Sequence, residues 1–206
     1  MVNLKEQWAQ DYTKTEFENA RFVLIDTNTP MNLGEPGDIR LFGERMKFYL
    51  RENDQQLLFC SSGLLELQKH LRGNNPEKAR MSECGLRFVI DLYSQGRLSF
   101  YEDGGSVDRL RDEGFADPFT RNAALALFHH GNVLVITNDD DLAWDLLSQR
   151  SDKSRYHIHV AAVSQYGWLH KPKAFYKLLA YQKWCAEQEN LHECRYWENG
   201  GEFDEA

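Results

Sequence analysis

Five acidic residues stand where the chain turns from apolar to polar, and together they suggest one chemistry. Asp26 ends the run Phe22-Val23-Leu24-Ile25, and Asp139 follows Val133-Leu134-Val135-Ile136-Thr137-Asn138. Asp141 lies two residues further on, at the expected start of a helix. Glu66 sits within Leu64-Leu65-Glu66-Leu67, six residues past the apolar run that ends at Cys60. Asp117 precedes Pro118, a favoured first helical residue, which makes Asp117 a candidate N-cap of an alanine-rich helix. Singly, each acid has an ordinary reading: a turn residue at Asp26, a cap at Asp117, a helix start with favourable dipole charge at Asp139 and Asp141. Jointly, carboxylates gathered in one crevice raise one another's pKa unless a cation neutralises them. Mg²⁺ or Mn²⁺ suits such hard oxygen donors, and a water held by such an ion can attack a phosphodiester.

Positioning these acids requires a sheet. Four short runs, Phe22–Ile25, Leu57–Cys60, Leu98–Phe100 and Val133–Ile136, read as buried strands, and His157–Val160 as a fifth. Helical spacing covers residues 3–19, Ile39–Arg51, Leu64–Leu71, Cys84–Tyr93, Phe119–Phe128 and Asp141–Leu147. In the first of these, Leu4, Trp8, Tyr12 and Phe17 form a loose stripe. Short apolar strands alternating with helices predict an α/β fold, a three-layer α/β/α sandwich around a mostly parallel sheet. Such sheets bind ligands beyond the carboxyl ends of their strands. Asp26 and Asp139 both stand at such ends.

Composition narrows the setting. The chain has 206 residues, 42% hydrophobic and 27% charged, which fits one globular domain with an appendage. No signal-like N-terminal run and no stretch of ~18 apolar residues is present, so the expectation is a cytoplasmic protein with no membrane span. Its four cysteines form no Cys-x-x-Cys pair, and buried reduced thiols are expected. Of the net charge of -8, residues 186–206 carry -6, with seven acids against one base. The body is therefore nearly neutral, and net charge does not exclude a nucleic-acid partner. No Gly-x-x-x-x-Gly-Lys loop occurs. A phosphatase of the haloacid dehalogenase type needs a second Asp two residues after the first, where this chain has Asn28.

At the acidic residues the sequence resembles the PIN-domain nucleases. Val23-Leu24-Ile25-Asp26-Thr27-Asn28 looks like the family's opening hydrophobic-Asp-x-Asn/Ser, and Ser61-Ser62-Gly63-Leu64-Leu65-Glu66-Leu67 like its strand exit into a helical Glu-Leu. Asp117, the alanine-rich helix and Val133 to Leu142, with Thr137-Asn138-Asp139-Asp140-Asp141 inside it, look like the closing half. The resemblance covers residues 21–162, flanked by an N-terminal helix (1–20) and a C-terminal helical extension with an acidic tail (163–206). It implies a Mg²⁺- or Mn²⁺-dependent endoribonuclease of single-stranded RNA, similar to the toxin half of VapC-type toxin–antitoxin pairs. Asp26, Glu66, Asp117 and Asp139 would be the catalytic metal-binding acids, with Asp141 an auxiliary ligand and Asn28, Thr137 and Arg121 toward substrate. An antitoxin or other regulatory protein and a second copy of the chain would be partners. The alternative is a PIN-fold module that binds RNA or protein without catalysis.

Two features outside this set carry alternatives of their own. Arg121, one helical turn past Asp117, would contact substrate phosphate or pair with Asp117. Lys173, Lys177 and Lys183 alternate with Tyr176, Tyr181 and Trp184. They form either a nucleic-acid face or part of an amphipathic helix docked through Phe175, Leu178, Leu179 and Trp184.

Overall fold

Runs of four apolar residues become strands with helices on both faces, which is why they lack the alternation of a half-exposed sheet. The computed structural model describes residues 4–33, 36–104, 117–149 and 155–198. In chain order the elements are α1 (Leu4–Asn19), β1 (Phe22–Ile25), α2 (Asn28–Asn32), α3 (Pro36–Glu52), β2 (Leu57–Cys60), α4 (Ser61–Leu71) and α5 (Pro76–Ser94). There follow β3 (Leu98–Tyr101), α6 (Asp117–Phe128), β4 (Val133–Ile136), α7 (Asp140–Ser148), β5 (Ile158–Val163), β6 (Leu169–His170) and α8 (Lys173–Glu198).

The strands form one sheet in the order β3-β2-β1-β4-β5-β6. All pairings are parallel except that of β5 with β6. Alternation along β1 and β4 divides the core in two. Val23, Ile25, Leu134 and Ile136 face a layer built by α1 to α5, with Phe17, Phe42, Met46, Leu67 and Leu92 buried there. Leu24, Val133 and Val135 face α6, α7 and the start of α8, against Ala124, Leu146 and Ala174. This is the three-layer α/β/α sandwich expected from the alternating pattern.

The flanking segments belong to the same body. Phe17 of α1 is buried and stacks on Tyr49 of α3 at 5.4 Å. Gln55 Nε2 donates to the carbonyls of Phe17 and Ala20, satisfying acceptors that the end of α1 leaves open. Thr13 accepts from the Leu169 N–H, which fastens α1 to β6. The helical stripe expected on α1 is half borne out: Tyr12 packs on the core and Phe17 is buried, while Leu4 and Trp8 are exposed and the buried Thr13 joins the contact instead. The sheet likewise takes its sixth strand from beyond residue 162. No described helix is long and apolar enough to cross a membrane.

The β5–β6 hairpin turns at Gly167, whose φ is +73°. A Cβ there would lie 2.8 Å from the Phe42 nitrogen and 2.9 Å from its Cα, so the turn rests directly on the backbone of α3. Arg45 holds the same corner, donating to the Tyr166 carbonyl and lying 3.4 Å over the Trp168 ring. Gly167→Ala combines left-handed strain with a backbone clash. It should lower stability by about 2 kcal/mol or more, read as a fall in the urea midpoint without a change in slope.

Candidate active site

Beyond the carboxyl end of β1 the connections diverge, first toward β2 and β3 on one side and later to β4 on the other. Such a switch point leaves a crevice at that edge. Asp26, the residue after β1, lies in it and is completely buried. Its Oδ2 accepts from the Asn28 N–H at 3.3 Å and from the Thr137 hydroxyl at 3.1 Å. Its Oδ1 is buried with no hydrogen-bond partner. Burial, with Asp117 and Glu66 close by, pushes the Asp26 pKa up to about 8 against the pull of those two hydrogen bonds.

The same repulsion runs through the neighbouring acids. Asp117, the first residue of α6, is half-buried, and burial together with Asp139 and Asp141 pushes its pKa up to about 6. Glu66 and Asp117 thus act on Asp26, while Asp139 and Asp141 act on Asp117. All five sequence-predicted acids are linked by repulsion, directly or through Asp117, at this edge of the sheet.

Each is held by local chemistry. Glu66 is 4% exposed on α4, which starts without a break after β2. The Ser62 N–H and hydroxyl both donate to Asp103 Oδ2, at 3.1 and 2.5 Å, and the Ser61 hydroxyl donates to the Tyr101 carbonyl. Asp103, just past β3, thereby supplies the cap that Cys60 does not provide by its side chain. A Cβ on Gly63 would fall 2.6 Å from Thr27 Oγ1 and 3.0 Å from the Phe59 ring. The missing side chain brings α4, and Glu66 one turn on, close against the end of β1. His70 Nε2 lies 3.6 Å from Glu66 Oε1. Burial and the nearby Lys78 and Lys69 lower the His70 pKa, so at pH 7 the imidazole is neutral.

Thr137, Asn138 and Asp139 fix the other wall. The buried Thr137 hydroxyl donates to Asp26 and accepts from the Asp139 N–H at 3.0 Å. Asn138 pairs its amide with both the N–H and the carbonyl of Val163. Asp139 caps α7, its Oδ1 accepting from the N–H groups of Asp141 and Leu142 at 2.8 and 2.9 Å. The ordinary reading of Asp139 as a helix start is therefore real, and it uses one of the two carboxylate oxygens. Asp141 is exposed in the first turn of α7, where negative charge is favoured.

Of the three residues expected toward substrate, Asn28 is half-buried, with its backbone N–H on Asp26. Thr137 has its hydroxyl engaged on both sides, which is the geometry of a positioning residue. Arg121 pairs with Asp145 of α7 at 3.7 Å, not with Asp117, because it projects across the α6–α7 contact. Cys60 also stands at this edge, but burial and the nearby Asp103 push its thiol well above the usual range, which leaves it inert as a nucleophile.

Among the described residues no three His, Cys, Asp or Glu side chains come together in a group that could hold a metal ion. Mg²⁺ does not require one, since it keeps several waters and takes only one or two carboxylates directly. The orphaned Asp26 Oδ1 and the mutual repulsion of the acids fit such a cation, with one or two of Asp26, Glu66, Asp117, Asp139 and Asp141 as direct oxygen donors and the others reached through its waters. In comparisons with known proteins, no family model and no curated protein matches this chain.

The raised Asp26 pKa fixes a sign. The folded chain keeps a proton that the unfolded chain releases, so cation-free stability falls as pH rises from about 4 toward about 8. Asp26→Asn removes that penalty. In EDTA, thermal melts of the variant and the parent should coincide near pH 4 and separate with rising pH, the variant melting higher. Mn²⁺ at pH 8 should raise the melting temperature of the parent more than that of the variant. A gap independent of pH would show an ordinary, ionised Asp26.

Proposed function

We propose that this chain is a Mg²⁺- or Mn²⁺-dependent endoribonuclease that cuts single-stranded RNA. The observation that carries the reading is the convergence of Asp26, Glu66, Asp117, Asp139 and Asp141 on the β1–β4 switch point, with Asp26 buried and one of its oxygens unpartnered. The resemblance of these segments to PIN-domain nucleases supports it independently. The bound cation would neutralise the carboxylates and supply a water acidified for attack on the phosphodiester. The chain's own residues do the rest. Asp26 and Glu66 present oxygens from the buried floor of the crevice, and Asp117 and Asp139 from its rim. Thr137 holds Asp26 and Asp139 in register through its hydroxyl. The Asp139 cap gives that carboxylate a fixed orientation, which a preorganised site requires.

The same reading takes RNA as the principal partner, with an antitoxin-type regulator or a second copy of the chain as protein partners in a cytoplasmic setting. With Mn²⁺ present, the protein should cut labelled single-stranded RNA, and EDTA should stop it. The same sequence locked in a hairpin stem should be cut at least tenfold more slowly, about 1.4 kcal/mol of barrier. Asp139→Asn should lose cleavage and metal affinity together while remaining folded. Thr137 separates positioning from mere packing: Thr137→Val removes the hydroxyl and should cost activity on the order of tenfold or more, whereas Thr137→Ser should retain most of it. Full activity in Asp139→Asn, or equal loss in both Thr137 variants, would reject these assignments.

A further inference from the structure

The helix α8 docks on the body only at its beginning. Ala174 is buried, and Phe175 and Leu178 pack on the layer that contains α7. Leu179 and Trp184, expected to complete the docking face, are 47% and 55% exposed. The expected docking is thus correct for the first turns and wrong beyond them, because the body ends before the helix does.

Among the residues α8 shows to solvent, four of one character fall on one face. Lys173, Lys177, Tyr181 and Trp184 follow at steps of four, four and three residues and so share one helix face. Eleven helical rises from Lys173 to Trp184 extend that stripe over about 16 Å. Tyr181 and Trp184 stack on each other, centroids 6.1 Å apart and planes 27° from parallel, and both are 55% exposed. Toward its N-terminal end the stripe touches the crevice wall: Lys177 Nζ lies 3.5 Å from Asp140 Oδ2, beside Asp139 and Asp141. Lysines and flat aromatic rings on one line form the composition of a single-strand binding track, where cations follow the phosphates and rings stack on bases. A coiled-coil partner, whether another helix or a second copy, would need an aliphatic seam. Leu179, the one exposed large aliphatic side chain on the described part of α8, lies off this stripe.

We infer that the Lys173-Lys177-Tyr181-Trp184 face of α8 is a single-stranded RNA track that leads the strand to the acidic crevice. The inference rests on the ribonuclease reading for its direction, but the binding it describes can be measured without cleavage. Fluorescence anisotropy of a labelled, unstructured 15-nucleotide RNA in EDTA at low salt reads affinity for the full chain with cleavage silent. The doubly substituted Y181A/W184A protein should bind at least tenfold more weakly, with its melting temperature unchanged because both rings are exposed. A blunt duplex, whose bases offer no free faces, should bind the parent and Y181A/W184A alike. The K173Q/K177Q protein should lose slope in log Kd against log salt by about 0.7 per lysine, the value for single strands.

Affinity unchanged in both double variants overturns the track. So does a switch from dimer to monomer in Y181A/W184A with RNA affinity retained, which would give the face to a second copy. Cleavage with Mn²⁺ is scored separately. A parent that binds through α8 and cuts no RNA supports the track and overturns the ribonuclease reading. A parent that cuts RNA, with Y181A/W184A binding and cutting equally well, does the reverse.

Discussion

The constraint on which this structure turns is a carboxyl held in a sheet seam. Asp26 sits between the ends of β1 and β4 with no access to water, and nearby acids raise its pKa instead of lowering it. Displacing its pKa from 3.8 to about 8 costs on the order of 4 kcal/mol at neutral pH. Domains of this kind have a net stability of only about 5–15 kcal/mol. A sequence can carry such a carboxyl only over a core with stability to spare. The sheet, buried on both faces by Val23, Leu24, Ile25 and the four residues of β4, is that core. A group so costly to fold is tolerated where it does something else, and on the proposed reading a cation binding only the folded chain would return the cost by mass action.

Around that carboxyl the supporting contacts are short and local. Three consecutive residues, Thr137, Asn138 and Asp139, tie the exit of β4 to β1, to β5 and to α7 respectively. On the opposite wall, Ser62 and Gly63 perform the matching task for α4, one by meeting Asp103 and the other by having no side chain to meet Thr27. Both walls hang from strand ends and helix starts, where backbone donors are free and the scaffold is rigid. Two separate pieces of chain can therefore present carboxylates to one point without a disulfide or a long loop to brace them.

The strands were legible because burial on both faces leaves an uninterrupted apolar signature, and the acids because they end those runs. Less was visible where the signal is tertiary. The helix expected to begin at Cys84 begins at Pro76, under an Asn75 cap whose oxygen accepts from Glu77 and Lys78. The Asn-Pro pair carried that signal, but the polar first turns masked it. The short α2, and β6 with only two residues, have no periodicity to detect. Asp103 follows a weak strand and acts through Ser62, forty-one residues earlier, so nothing near it in sequence announces its part. Arg121 stands at the spacing for an ion pair with Asp117, yet packing of α6 on α7 offers Asp145 instead. The acidic tail beyond residue 198 lies outside the described residues.

An acid-lined crevice is a poor place to draw a polyanion, and this sets the relation between the crevice and α8. The ionised carboxylates there repel a phosphodiester, and residues 1–185, with 23 bases against 25 acids, supply no net positive charge to offset them. Attraction has to come from a local arrangement of charge, since long-range steering is weak for a nearly neutral body and is screened within about 8 Å at physiological salt. Lys177 meets that condition, standing beside Asp140 at the rim where charge changes sign. If the α8 face binds single strands as inferred, stacking by Tyr181 and Trp184 would add a contribution that salt does not screen. On the proposed reading, the division of labour follows from electrostatics: acids that would hold a cation cannot also attract the strand, which would have to be held elsewhere.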